Sequence, residues 1–136
     1  MAAGLQSVAA CIENDPPAPE ELTNAVGLVA DDLDDVVRER PDAIGARTVF
    51  CGDMAQVLID VEAGRVTPGA VELSRADVED LFRALVTESR AERAHNPGLP
   101  SEHIDNVVAA SCALVGVMRR LRLDTIAIDP LRSVRS

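Results

Sequence analysis

The sequence predicts a helix-rich α/β fold with two short parallel strands and about four helices, and three observations lead there. Runs rich in β-branched and aromatic residues occur twice, as "ARTVFC" at 46–51 and "LDTIAID" at 123–129. Around and between them, apolar residues recur at helical rather than strand spacing. The connection between the two runs is long and helical, which favours a parallel pairing.

Taken in order, residues 4–12 fit a short helix or a short strand equally well. "ENDPPAPEEL" contains a turn at 13–19, because Pro16, Pro17 and Pro19 hold the backbone extended. A helix follows from about Glu20. Leu22, Val26, Val29, Leu33, Val36 and Val37 share one stripe, Glu20 and Glu21 suit the N-terminal end of the dipole, and Pro41 ends the helix after Arg38 and Arg40. Beyond the first strand, "DMAQVLIDVEAG" returns to helical spacing through Met54, Val57, Leu58 and Val61 and stops at Gly64. A polar loop then leads to "LSRADVEDLFRALVTESRAERA", which reads as one helix. Ser74 is its N-cap, Asp77 completes a capping box, and Val78, Leu81, Phe82, Leu85 and Val86 form its buried stripe. After "NPGLP", Ser101 is expected to cap a last helix reaching about Leu121. Its middle, "VVAASCALVGVM", is apolar nearly all round and marks a central buried helix. The chain reads as one domain, 1–136, with an arginine-dotted tail at 130–136.

Composition narrows the function classes. Two Phe are the whole aromatic complement, so the core is aliphatic and base-stacking platforms are excluded. A net charge of −10 weighs against nucleic acid as a partner, since phosphates need cations to replace their counterions. Every basic residue is Arg, which removes Lys-based chemistry. Cys11, Cys51 and Cys112 are odd in number and far apart, so a disulfide framework and a zinc site are not expected and a reducing cytoplasm is. The opening "MAAGLQSVAACIEND" has no basic stretch of a signal peptide. The longest uncharged run, Val107 to Met118, falls short of the roughly 20 residues that span a bilayer. No membrane association is expected.

Several segments then resemble a known family in their order. "GLQSVAACIENDPPAPEEL", "ARTVFCGDM", "LSRADVEDLF", "AERAHNPGLP", "HIDNVVAASCALVGVM" and a strand followed by "PLRS" resemble the Ppx/GppA phosphatases, the exopolyphosphatases and guanosine pentaphosphate phosphohydrolases. That resemblance implies an actin/hexokinase-like fold of two ribonuclease-H-like domains, of which this chain would be the later part of the second. It also implies phosphoanhydride hydrolysis with magnesium. The family's Asp-Ile-Gly phosphate loop, its water-activating Glu and a second Gly-rich loop would all lie upstream of the matched region. No cofactor is therefore expected for this chain, which alone is expected to be inactive. The covering partner would be a second copy or a separately encoded first half.

Within the matched region the family's motif positions are altered. Its Arg, Glu and Arg after the Gly matching Gly4 read Ser7, Ala10 and Cys11, and its Gly-Gly-Thr loop reads Cys51-Gly52-Asp53. The Arg of its Arg-x-Asp reads His103 while Asp105 is kept, the Gly of its buried helix reads Ala110, and its Leu-Arg-Glu-Gly reads Leu131-Arg132-Ser133-Val134. The resemblance leaves Gly52, Asp53 and Arg132 as degenerate phosphate-binding positions.

Elementary chemistry qualifies each of them. A helix N-terminus after Gly attracts anions, but an Asp53 carboxylate at the N-cap would satisfy its own helix and fill that place with a built-in anion. Arg93 and Asp105 are expected to tie two helices across the Pro97-Gly98 break. His95 and His103 lie at no metal-ligand spacing and read as loop-surface residues. Asp31, Asp32, Asp34 and Asp35 read as a solvated acidic face rather than a magnesium seat.

Overall fold

In the computed structural model, which describes residues 5–64 and 69–130, helices surround a helix. The elements run α1 (Leu5–Ala9), α2 (Pro19–Glu39), β1 (Val49–Cys51), α3 (Asp53–Ala63), β2 (Val71–Ser74), α4 (Arg75–Thr87), α5 (Arg90–Arg93), α6 (Asn106–Arg120) and β3 (Thr125–Asp129). Residues 4–12, ambiguous in sequence, contribute the short helix α1. The sheet has the order β1-β3-β2. As expected, the two outlying strand runs pair in parallel, with Phe50 opposite Ile128.

A third strand joins them where the sequence reading placed the end of a polar loop and the start of a helix. β2 runs antiparallel to β3, with Leu73 opposite Ile126 and Val71 opposite Ile128. Leu73 is buried and Glu72 exposed, the alternation of a half-covered strand. The helical spacing of "LSRADVEDLF" drew Leu73 toward the following helix, and the strand signal of only four residues was lost in it.

Helix α6 is the axis of the molecule. Val107 through Gly116 and Met118 are buried without interruption, and α1, α2, α3 and α4 all pack against this one helix. Each large aliphatic side chain so enclosed stabilises the fold by about 1.5–3 kcal/mol relative to exposure. Ile126 and Ile128 of the central strand, 1% and 0% exposed, continue this core into the sheet. On the other side of the strand Thr125 is exposed.

The crossing of α2 and α6 is close. A Cβ on Gly116 would lie 2.9 Å from Cγ1 and 3.0 Å from Cβ of Val29. Beyond the crossing, two ion pairs tie the C-terminal turn of α6 to its neighbours. Arg120 Nε donates to Asp34 Oδ1 of α2 at 2.6 Å. Arg119 holds Glu79 of α4 through Nε and Nη2, at 2.9 and 2.7 Å, and its guanidinium lies 5.9 Å from the Phe82 ring centre. Glu79 is accordingly held below the usual carboxylate range, chiefly by its hydrogen bonds from Arg119. Asp34 thus belongs to a bridge between helices, whereas Asp31 and Asp35 lie on the exposed face expected for the acidic run.

Two helix boundaries differ from the sequence expectation. The helix expected over 74–94 starts as foreseen, with Ser74 Oγ accepting from Asp77 N and Ser74 N donating to Asp77 Oδ2. It breaks at Glu88, whose backbone is extended, because Ser89 and Glu92 form a second capping box that starts α5. Ser101 caps no long helix. It opens a single 3-10 turn to His103, and α6 begins only at Asn106.

Gly116→Ala should destabilise the protein by about 1–3 kcal/mol, as overpacking does. Gly27→Ala, in α2 with no atom within 4 Å of the added Cβ, should instead stabilise it by about 0.4–1 kcal/mol. Urea unfolding midpoints of the two variants, moving in opposite directions from that of the parent, are the measurement.

Candidate functional site

Two neighbouring places gather the residues singled out by sequence. The first is the junction of β1 with α3. Gly52 has φ 103° and ψ −172°, a conformation L side chains avoid. A Cβ there would meet no atom within 4 Å, so the backbone angle and not crowding calls for glycine. The turn delivers the chain straight into the first helical bond, Ala55 N to Gly52 O at 3.1 Å. Gly52 occupies the N-cap position and Asp53 is the first residue of the helix. The side chain of Asp53 lies outside the described residues, as does Arg132.

Beside this turn is a hollow of about 450 Å³ lined by Gln6, Phe50, Cys51, Gly52, Met54, His103 and Asn106. Its rim joins the N-terminal ends of α3 and α6, where free N–H groups and helix dipoles favour negative charge. His103 is half-buried rather than a plain loop-surface residue, and its Nδ1 is buried with no hydrogen-bond partner. His95, by contrast, is exposed.

The second place is the joint spanning α4, α5 and the start of α6. Arg93 is 3% exposed and spends its guanidinium on backbone oxygens. Nη1 donates to Glu88 O at 2.7 Å and Leu85 O at 3.3 Å, and Nε donates to Ile104 O at 3.0 Å. The first two carbonyls belong to the interrupted end of α4, where helical partners are missing. The third is withdrawn from the ladder just before α6, and Val108 N turns to Asp105 O instead.

Asp105 stands 3.9 Å from Arg93 Nη2 but 2.9 Å from Arg90 Nη2. The structure therefore brings Arg93 and Asp105 near each other, with Arg90 as the carboxylate's close partner and main-chain oxygens as the buried guanidinium's. The Arg90 N–H donates to Asp15 Oδ1 at 2.8 Å, which carries the joint back to the proline-rich turn. Asn96 and Gly98 fasten it to α3. Asn96 Nδ2 donates to Val61 O at 3.3 Å, and a Cβ on Gly98 would collide with the carbonyl of Asp60.

Glu21 is a functional-looking carboxylate that sequence reading assigned only to the helix dipole. It is 9% exposed and accepts from three backbone N–H groups: Glu13 at 2.6 Å, Ala18 at 2.9 Å, and Asn14 at 3.2 and 3.3 Å to its two oxygens. Ala18, at the N-cap, has no side-chain acceptor, so Glu21 completes only the return half of a capping box. The prolines leave these N–H groups without regular partners, and Glu21 collects them. Led by the bonds from Ala18 and Glu13, and against the opposing effect of burial, its pKa drops from the usual 4.5 to about 2. Cys112 is the opposite case, a thiol pushed up to about 12 chiefly by burial in α6, as befits a small apolar core residue.

Among known proteins, no family model and no curated protein matches this chain. Solved structures do. An exopolyphosphatase-like protein superposes with a TM-score of 0.80 and 21% identity, over 93% of this chain and 43% of the other. The type II variant of the Aquifex aeolicus Ppx/GppA phosphatase superposes with a TM-score of 0.79 and 14% identity, over 96% of this chain and 44% of the other. An exopolyphosphatase from Cytophaga hutchinsonii gives 0.69 and 20%, with coverage of 96% and 44%.

The chain has the fold of part of a Ppx/GppA phosphatase.

It spans less than half the length of those structures, 43% and 44% of them. The excess of helix and the small mixed three-stranded sheet agree with part of a Ppx/GppA fold. Among the described residues no three His, Cys, Asp or Glu side chains converge as a metal seat. Among the described residues no helix is long and apolar enough to cross a membrane.

Arg93→Met should cost roughly 2–4 kcal/mol, because it leaves buried carbonyls without donors. Asp105→Asn, which touches only exposed or distant partners, should cost less than about 1 kcal/mol. Chemical denaturation of both variants decides between an arginine that serves the backbone and one that serves the carboxylate. Because the folded pKa of Glu21 lies below its unfolded value, its contribution is complete above about pH 4.5 and is lost as pH falls toward about 2. Glu21→Gln should flatten the thermal stability profile over that interval and leave its slope above pH 5 unchanged.

Proposed function

We propose that this chain is a degenerate or partial relative of the Ppx/GppA phosphatases that does not hydrolyse phosphoanhydrides on its own. One observation carries the reading: the fold match takes in 93–96% of this chain, while Arg93, one of the two arginines that the resemblance keeps (the other is Arg132), is buried against backbone carbonyls. At the junction the backbone shape suited to an anion persists around Gly52, yet a carboxylate residue, Asp53, follows it where the resemblance calls for Thr. His103 replaces the Arg of the family's Arg-x-Asp. The chain keeps the scaffold of a phosphate site and little of its positive charge.

A second reading rests on a different observation. β1 is an edge strand, and Val49, Phe50 and Cys51 are all only half-buried. Such an edge can be completed by another polypeptide, so the chain would be one half of a split polyphosphate or guanosine pentaphosphate phosphohydrolase, or a non-enzymatic acidic module that binds a partner there. A second copy of the chain is the competing occupant.

Phosphate release from polyphosphate or guanosine pentaphosphate, with magnesium present, should not exceed the buffer rate for this chain alone; metal-dependent turnover would overturn the first reading. Adding a polypeptide that carries the family's first half distinguishes the rest. Restored turnover supports the split enzyme, whereas sedimentation as a dimer without it supports self-association.

A further inference from the structure

We draw no further inference here: the strongest candidate, the hollow between the Gly52 turn, His103 and the first turn of α6, belongs to the candidate site already described.

Discussion

A helix with no polar face has to be enclosed on every side, and the rest of this molecule is arranged to enclose α6. From Val107 to Gly116 every side chain is apolar except Ser111, whose hydroxyl donates to the Val108 carbonyl of the same helix, so four helices are drawn around it. Gly116 lets one of them, α2, approach to the distance at which Val29 fills the place of a side chain. The charged residues Arg119 and Arg120 come only at the last turn. There they complement the dipole and reach outward to Glu79 and Asp34, gripping the two flanking helices.

Enclosing one helix creates a problem at its ends. The segments that enter and leave carry backbone groups that cannot all find ladder partners near an apolar core. Single side chains with several donors or acceptors solve this locally. Arg93 gathers the carbonyls of Leu85, Glu88 and Ile104, and Glu21 gathers the N–H groups of Glu13, Asn14 and Ala18. The two are linked through Arg90 and Asp15, so the proline-rich turn, the broken helix and the start of α6 form one polar seam over the core. Arg93, expected from sequence to pair with Asp105 across the break, is here part of that seam.

This division explains how a fold can match Ppx/GppA structures at only 14–21% identity. Aliphatic volume and small residues at helix crossings maintain the scaffold, and many sequences supply them. A phosphate site depends on a few groups of the right charge at fixed places.

Much of the architecture was legible from residue pattern alone. The apolar middle of α6, the Ser74 capping box and the Gly64 stop follow from local periodicity and from groups within a few positions of one another, and the parallel pairing of β1 with β3 follows from the long helical connection between them. At the site, Gly52 was recognisable from its place between strand and helix. The S-x-x-E signal of Ser89 and Glu92 was present in the letters, but the helical stripe on both sides of it hid the break. What only the tertiary structure decided were the partners brought together by folding. Arg93 chose main-chain oxygens over Asp105, Arg120 found Asp34 86 positions away, β2 found β3, and His103 came to rest beside the Gly52 turn. Local sequence determines which backbone an element adopts because its hydrogen bonds close within a few residues. It does not determine which distant polar group meets an arginine, because that depends on how the helices stack around α6.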